Sequence, residues 1–439
     1  MVRSIPTLII AALVVSSCGP RETLSPEPTA SLAIPNPTSV TSSTPSPTIK
    51  PTQPPSPSPE PTSKPDLIIS DFNMIDTSIG WGMAELPDSE EENWSIRVLR
   101  TADGGMSWQD VSPQTDDSGD TWFDESFFLD TDNAWVAVAS DEDVVIWHTA
   151  DGGATWTSGE PLPHLIYQSR AMTFADSQYG WIMLREEYTM GSQGVAVIGS
   201  ADGGINWGEL TFTLTSDLIP TPGLIYNGCG KIDIGFRDAL TGWVTGSCNS
   251  GGFILEVTRD GGHWWEPGDP EPPAQDPDLF HAAPCLPHLP LFDSSQEGLF
   301  SVDCGDYGYG EQVFLFYHTH DGGLSWDAPI RLVNPDALTT TFRYHFATIS
   351  DGWYASWQRD FDLPPSVVLN FTHDGGQTWM EVTASGDIAQ IESFDFVDPM
   401  LGWGAAYDQY ESAFYLFKTT DGGVTWTKFI PRLLASLNR

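Results

Sequence analysis

The chain is poor in positive charge. Its 439 residues include 18 lysines and arginines against 60 aspartates and glutamates, so the net charge at pH 7 is −42. A surface this negative repels phosphate backbones and anionic headgroups. We therefore expect neither nucleic acid nor an anionic bilayer as the ligand, and we interpret most of the acid as a solvated exterior.

Motifs for phosphate chemistry and nucleophilic catalysis are missing. No phosphate-cradling glycine loop and no Gly-x-Ser-x-Gly elbow occurs, since the Gly-Gly pairs belong to turns. The chain has five cysteines, without the close Cys-x-x-Cys spacing of a zinc site. The acidic stretches Asp116–Asp120 and Asp130–Asn133 complete no calcium loop. We predict no catalytic residue, no cofactor and no metal.

Long apolar runs are also lacking, except near the start. The run from Ile5 to Val15 follows Arg3 and is too short to cross a bilayer as a mature helix. Val15-Ser-Ser-Cys18 resembles a lipobox, so we predict a lipoprotein signal peptide at 1–17 and lipidation of Cys18; ordinary cleavage nearby is the alternative. Several acyl chains would hold the protein stably on the extracytoplasmic membrane surface.

The segment from Gly19 to Pro65 contains no aromatic residue. Fourteen of its 47 positions are proline, mostly alternating with serine and threonine. Such a composition cannot bury a core and favours an extended, solvated chain. We predict a disordered, lipid-anchored stalk over residues 18–65.

Beyond this stalk, one eight-residue pattern occurs seven times. It reads Ser/Thr-x-Asp-Gly-Gly-x-polar-Trp, with tryptophan in the polar position only at Trp264. Aspartate can accept backbone N–H groups and glycine can adopt positive φ, as a tight turn between strands requires. Repeats of 47 to 61 residues are typical of a propeller or an array. The aspartates are Asp103, Asp151, Asp202, Asp260, Asp321, Asp374 and Asp421.

A looser pattern, Phe-x-Asp-x-x-x-Gly-Trp, precedes each of these turns. It is clearest at Phe174 to Trp181, and we align Phe72 to Trp81 with it in the first unit. Each unit therefore supplies four strands, A to D. We predict an all-β domain over residues 66–439, a seven-bladed β-propeller of four-stranded antiparallel blades. Because unit one begins with A and unit seven ends with D, we expect the end blades to pack together without borrowing a strand.

The recurring turns resemble Asp-box, or bacterial neuraminidase, repeats. The paired pattern is similar to the photosystem II assembly and stability factor-like family of seven-bladed propellers, over about residues 66 to 439. This resemblance implies a non-catalytic binding or assembly scaffold. Asp-box turns also occur in sialidases and xyloglucan-active endoglucanases, so a glycoside hydrolase using rim carboxylates is the alternative.

Two features of the sequence argue against a sialidase. No Phe-Arg-Ile-Pro occurs near the first blade. The arginines that could form a cluster are scattered along the sequence: Arg170, Arg185, Arg237, Arg259, Arg343 and Arg359.

Strand alternation divides the connections between two faces. The A–B and C–D turns share one face, and the irregular B–C and D–A loops form the other, a variable rim. Binding usually occurs on such loops, so we expect a protein or carbohydrate ligand there and a monomeric protein. The candidate ligand-binding residues are aromatic: Trp94, Tyr188, Tyr226, Tyr307, Tyr309 and Trp357. Alternatively, these side chains only cover blade edges.

Four cysteines occupy equivalent positions in units four and five. Cys229 and Cys248 are 19 residues apart, as are Cys285 and Cys304, and each pair brackets the A–B turn. Pairing of strands A and B would bring the two members of each pair together. We predict disulfides 229–248 and 285–304, which suit an exported protein; the two other pairings and a zinc site are the alternatives.

Overall fold

The structure, a computed structural model, is a seven-bladed β-propeller of four-stranded antiparallel blades. It describes residues 67–87, 94–115, 122–140, 143–162, 169–217, 221–305, 312–334, 340–358, 366–384, 391, 393–408 and 413–434. The predicted signal peptide, Cys18, the predicted stalk, Tyr307 and Tyr309 lie outside these residues. Within the described ranges, no helix is long and apolar enough to cross a bilayer.

The first four blades follow the predicted order of strands A to D. Blade one contains β1 (Ile68–Met74), β2 (Gly80–Pro87), β3 (Trp94–Thr101) and β4 (Ser107–Asp110). Blade two contains β5 (Trp122–Phe128), β6 (Ala134–Ala139), β7 (Val144–Thr149) and β8 (Thr157–Pro161). Blade three contains β9 (Ser169–Phe174), β10 (Gly180–Arg185), β11 (Val195–Ser200) and β12 (Gly208–Thr213). Blade four contains β13 (Gly230–Phe236), β14 (Gly242–Ser247), β15 (Phe253–Thr258) and β16 (Trp265–Pro267).

Blade five follows a short helix, α1 (Leu279–Ala282), and its strand A is broken into two pieces. It contains β17 (Cys285–Pro287), β18 (Leu291–Phe292), β19 (Gly298–Gly305), β20 (Gln312–Thr319) and β21 (Ile330–Asn334). Blade six contains β22 (Thr340–Phe346), β23 (Gly352–Gln358), β24 (Ser366–Thr372) and β25 (Met380–Val382). Blade seven contains β26 (Ser393–Phe396), β27 (Gly402–Asp408), β28 (Ala413–Thr419) and β29 (Thr427–Phe429), and β30 (Arg432–Leu433) follows it.

A pair of stacked rings recurs between neighbouring blades. The tryptophan of strand B lies on the phenylalanine of strand A in the next blade, with ring centroids 3.6 Å apart for Trp181 and Phe236. Burying two large rings is worth several kcal/mol of transfer free energy, and stacking adds about 0.5–1.5 kcal/mol. The same stack occurs at Trp81–Phe128, Trp135–Phe174, Trp243–Phe292 and Trp353–Phe396.

The alignment of the first unit was wrong by two residues. Met74, which pairs with Gly80, occupies the position that phenylalanine holds elsewhere, and it packs in one buried cluster with Trp403 of blade seven. Phe72 lies two residues earlier on β1 and is only partly buried. An unbranched methionine can fill the same apolar gap as a phenylalanine ring. Because the pattern was aligned on phenylalanine, the sequence did not reveal that Met74 is the residue opposite Gly80.

The two recurring turns of each blade share one face, as predicted. The first glycine of every Asp-Gly-Gly turn donates its N–H to a carbonyl of the A–B turn in the same blade, at 2.8 to 3.0 Å. The acceptors in chain order are Ser78, Asp132, Gln178, Leu240, Gln296, Ser350 and Met400. Since adjacent strands are antiparallel, the B–C and D–A connections lie at the opposite face.

The Asp-Gly-Gly turns explain the residue types that recur in them. In blade five, Asp321 accepts from Thr319 Oγ1 at 2.9 Å and from the N–H groups of Leu324 and Ser325 at 3.0 and 2.9 Å. Its second oxygen accepts from Ser325 Oγ at 2.7 Å. The polar position thus supplies a hydrogen bond to the aspartate. In blade four Trp264 holds this position, and only its N–H reaches Asp260, at 2.9 Å.

The ring closes with one feature that the sequence did not predict. Blades seven and one pack directly, with Trp403 Nε1 donating to Gly104 O at 2.9 Å. In addition, β30 pairs in parallel with β4, and Leu434 N donates to Trp108 O at 2.8 Å. Blade one therefore gains a fifth strand at its outer edge. The expectation of closure by packing alone was incomplete.

Replacing Asp321 by alanine tests whether these turns stabilise the fold. The change removes four hydrogen bonds, and we expect the free energy of unfolding at neutral pH to fall by about 1–3 kcal/mol. Asp278→Ala is the matched control, because the Asp278 side chain makes no capping hydrogen bond. Urea unfolding measures both, and equal losses would contradict the role of the turn.

Acid should remove the difference between Asp321→Ala and the native chain. The Ser325 hydroxyl and N–H lower the pKa of Asp321 from 3.8 to about 2. A carboxylate with a lowered folded-state pKa stabilises the protein fully above its unfolded value and loses this contribution as pH falls through the folded value. The free energies of unfolding of the variant and of the native chain, plotted against pH, should therefore converge between about pH 4 and pH 2.

Candidate functional site

Two disulfides hold the variable rim of blades four and five. Cys229 is bonded to Cys248 and Cys285 to Cys304, with Cα atoms 4.4 and 4.1 Å apart. Each bond joins the start of strand A to the end of strand B in its blade. The segment 248–252 also contacts the following connection, where Gly252 donates its N–H to Ala283 O at 2.9 Å. The two disulfide-linked corners are therefore tied to each other.

The connection from blade three to blade four covers the outer edge of blade four. Gly223 forms an antiparallel bridge with Trp265, whose N–H donates to Gly223 O at 3.0 Å. The φ of Gly223 is +84°, and a Cβ there would lie 2.2 Å from the Trp264 ring. Only glycine fits this turn, so residue 223 fixes how closely the connection approaches the blade.

The connection from blade four to blade five is anchored in the same way. Gly268 donates its N–H to Leu255 O at 2.6 Å, and the Tyr317 hydroxyl donates to Glu271 O at 2.9 Å. On α1, the Phe280 ring meets Phe253 edge to face, with centroids 4.9 Å apart. These contacts hold a long loop against strands β15 and β20.

Between the two connections lies a cavity of about 550 Å³, which we call the blade-four cleft. Its volume is within the range of small-molecule sites. Its apolar walls are Leu224, Phe253, Ile254, Leu255, Trp265 and Phe280, and its polar groups include Tyr226, Glu256, Asp269 and His281. The cleft lies where the sequence has its two longest D–A connections.

Glu256 is the buried charge of the cleft. The residue is 5% exposed, and burial raises the pKa of its carboxyl group to about 7, against the lowering effects of the Tyr226 N–H and of Lys231. Asp269 nearby raises the pKa further. A carboxylate in an apolar wall at this cost is typical of a functional position.

Lys231 is electrostatically coupled to Glu256 and is held by main-chain oxygens. Its Nζ donates to Gln193 O at 3.0 Å, Gly228 O at 2.9 Å and Cys229 O at 3.3 Å. Burial lowers the pKa of Lys231 to about 7, while the three carbonyls favour its charged form. All three ammonium donors are therefore used in fixing the rim.

A two-residue hairpin stands beside the cleft. Thr189 and Ser192 exchange hydrogen bonds of 2.9 Å across Met190 and Gly191, whose φ values are +51° and +86°. Positive φ at both positions is typical of a type I′ turn, which favours Asn-Gly. Met190 is nevertheless there, fully exposed. Ser192 also bridges to Gly228, which places this methionine near the cleft.

Other exposed apolar side chains extend this surface. Leu214 is 39% exposed and Tyr226 41%. The Leu214 carbonyl accepts from Asn227 Nδ2 at 3.0 Å, so Leu214 lies beside the residue that follows Tyr226. We call Met190, Leu214 and Tyr226 the rim patch. Exposed methionine and tyrosine are enriched at protein interfaces.

The structure separates the predicted ligand residues. Tyr226 lines the cleft. Tyr188 lies near Gly230 at the start of β13, where a Cβ added to the glycine would be 3.7 Å from the Tyr188 ring. Trp94 begins β3 in blade one and Trp357 lies in β23 of blade six, so neither belongs to the blade that forms the cleft.

Glu256 and Met190 were missed, although the sequence carried a signal for each. Glu256 lies two residues before the Ser/Thr of its Asp-Gly-Gly turn, a position that other blades fill as follows: Leu99, Trp147, Ile198, Tyr317, Asn370 and Phe417. A lone carboxylate in this mostly apolar series indicates a special role. Met190-Gly191 stands where a hairpin favours Asn-Gly, but only the structure shows that the methionine is exposed.

A second group of charges lies around the propeller axis. Strand β9 contacts β5 on one side and β13 on the other, so the A strands are innermost. They carry Asp124, Glu125, Arg170 and Asp233, and Arg185 joins them from the end of β10. We call these five residues the axial cluster.

The axial carboxyl groups are perturbed, and the arginines are engaged. Burial raises the pKa of Glu125 to about 7, helped by Asp233 and Asp124, and burial also raises the pKa of Asp233. Arg170 pairs with Asp124. Arg185 donates to Arg170 O at 2.8 Å and to the carbonyls of residues 231 and 232. Both guanidinium groups thus contact protein oxygens, although Arg170 Nε is buried with no hydrogen-bond partner among the described residues.

Metal ligands do not converge in the described part of the chain. Among its residues, no group of three His, Cys, Asp or Glu side chains is placed to hold an ion.

No protein-family model and no curated protein matches the chain. Among solved structures, it resembles "YCF48 bound to D1 peptide" with 16% identity over 82% of this chain and 92% of that one, at a TM-score of 0.45. One of two prolyl endopeptidases shares 8% identity over 84% of this chain and half of its own length, at a TM-score of 0.52. Hadza microbial sialidase Hz136 shares 14% identity over 67% of this chain and 66% of its own, at a TM-score of 0.37. At these identities the likeness concerns the fold alone.

Glu125→Gln tests the axial cluster. The pKa of Glu125 rises from 4.5 to about 7 on folding, so the native state binds more protons than the unfolded state in this window, and stability falls as pH rises through it. We expect the variant to increase the free energy of unfolding at about pH 8 by about 1–2 kcal/mol, allowing for solvent screening, and to change it little at about pH 5. Glu187→Gln, at an exposed site, is the control. Destabilisation at the higher pH would show that Glu125 is well paired.

Proposed function

We propose that this protein is a non-catalytic scaffold that binds a protein partner through the rim patch and the blade-four cleft. The observation that carries the proposal is the combination of exposed apolar side chains with a rigid, disulfide-linked rim. A preorganised surface loses little conformational entropy when it binds.

The rim patch favours a protein ligand over a carbohydrate. Met190 is fully exposed in a turn whose backbone conformation disfavours methionine. A residue that is unfavourable for local structure is retained where it contributes to function, here to binding. A flexible thioether adapts to an apolar partner surface. Sugar sites rely instead on polar side chains beside flat aromatic rings.

The proposal includes the location of the scaffold. We propose that the scaffold is held on the extracytoplasmic surface by lipid on Cys18, at the end of a proline-rich stalk, a proposal that the lipobox-like sequence before Cys18 supports. The resemblance of its repeats to photosystem II assembly factor-like propellers supports an assembly role for the scaffold. With a net charge of −42, we expect a basic partner surface.

A photo-crosslinker at position 190 tests the proposed surface. We expect benzoylphenylalanine there to form a discrete product with a partner in intact cells, because this side chain projects from the rim. The matched control is the same group at Met400, an exposed methionine on the opposite face. Equal products at both positions, or none at 190, would contradict the proposal.

Met190→Asn separates binding from folding. Asparagine tolerates positive φ, so we expect the free energy of unfolding to rise by about 0.5–1 kcal/mol. The partner, once identified by crosslinking, should nevertheless bind the variant more weakly than the native protein. A variant that is more stable and binds equally well would remove Met190 from the interface.

The axial cluster supports glycoside hydrolysis as a second candidate. It brings together two carboxyl groups of raised pKa and two arginines. If it hydrolyses sugars, chromogenic glycosides should be turned over, and Glu125→Gln should abolish the turnover. We expect no turnover, because Arg170 pairs with Asp124 and Arg185 donates to main-chain carbonyls, which leaves only Arg170 Nε buried without a partner among the described residues.

A further inference from the structure

Glu256 has no cationic partner in direct contact. Its carboxylate forms no ion pair with any residue in the described ranges, and Lys231 acts on it only at longer range. The Lys231 ammonium is turned to three carbonyl oxygens instead. A buried carboxylate in this position would be stabilised by a cation that enters the cleft.

The walls of the cleft suit the rest of such a ligand. Leu224, Ile254 and Phe280 offer apolar surface to an aliphatic chain, and Tyr226 offers an aromatic ring. Long cationic side chains bury their methylene groups along apolar surface and can place the charge against an aromatic face. Asp269 adds a second negative group at the wall.

We propose that the blade-four cleft receives a lysine or arginine side chain of a protein partner, with the Glu256 carboxylate as its counter-ion. This inference rests on the proposed function and specifies the chemistry of one anchor. Charge complementarity supports the choice, since a protein of net charge −42 attracts basic partners and repels acidic ones.

Three small probes of one size test the chemistry of the cleft. Phenylbutylamine, phenylbutanol and phenylbutyrate share an apolar body and end in a cation, a neutral hydroxyl and an anion. Isothermal titration calorimetry on the native chain should show the amine binding at least about tenfold more tightly than the alcohol, because only the amine pairs with the carboxylate. The butyrate should bind most weakly.

Glu256→Gln keeps the shape of the side chain and removes its charge. We expect the preference for amine over alcohol to disappear while the alcohol binds as before. Glu271→Gln is the control, since Glu271 lies on the same connection and outside the cleft lining. It should leave all three affinities unchanged.

The pH dependence of probe binding to the native protein offers a second readout. Burial raises the pKa of Glu256 to about 7, so the carboxylate is lost as pH falls from about 8 to about 5.5. Amine affinity should fall about tenfold over this range, and alcohol affinity should not. Lys231, whose pKa is also about 7, Asp269 and His281 also surround Glu256 or line the cleft. The same pH series on Glu256→Gln, which keeps these three residues, therefore isolates the contribution of Glu256.

The outcomes separate this inference from the proposed function. Equal binding of amine and alcohol, or retained preference in Glu256→Gln, would overturn the cation site and leave the cleft as an apolar site. Failure of every probe to bind the native protein would overturn the cleft as a ligand site altogether. In either case the crosslink from position 190 decides independently whether the rim binds a partner.

Discussion

At five of the seven joints between blades, the contact between a strand B indole and the next strand A ring holds the propeller together. Each blade is a small sheet that cannot bury both of its faces alone, and the stacked rings cover them from the neighbouring blade. Where the stacked indole also donates its N–H to a turn carbonyl of that neighbouring blade, as Trp135 does to Gly203 and Trp181 to Gly261, the same side chain positions both the ring stack and the turn. The two repeated patterns are therefore parts of one inter-blade joint.

This joint restricts where the chain can vary. One face carries seven turns whose glycines, aspartates and hydroxyl groups are fixed by hydrogen bonds. Insertions accumulate on the other face, and the largest flank blade four, where two disulfides hold them. A cleft with a buried carboxylate could form there without disturbing the joints.

The sequence predicted the fold well because the repeat is encoded locally. Glycines with positive φ, an aspartate and a tryptophan recur at fixed spacing, and antiparallel pairing then determines the two faces and the disulfides. Two features depended on tertiary context instead: Met74 replaces a ring, and β30 joins an edge about 325 residues away. Glu256 differs, because an alignment of the equivalent positions of the repeat already marks it as exceptional. The axial cluster unites Arg170 and Arg185 with acids from different units, which no local pattern reveals.

The parallel strand β30 bears on the order in which the domain is completed. During synthesis, blade one emerges first and can pair its own four strands. The outer edge of blade one is covered only when residues 432–433 have been synthesised. Its face toward blade seven is covered only when Trp403 has been synthesised. The first blade made is thus among the last to be sealed, and until then the open edge is available to a chaperone or to another chain.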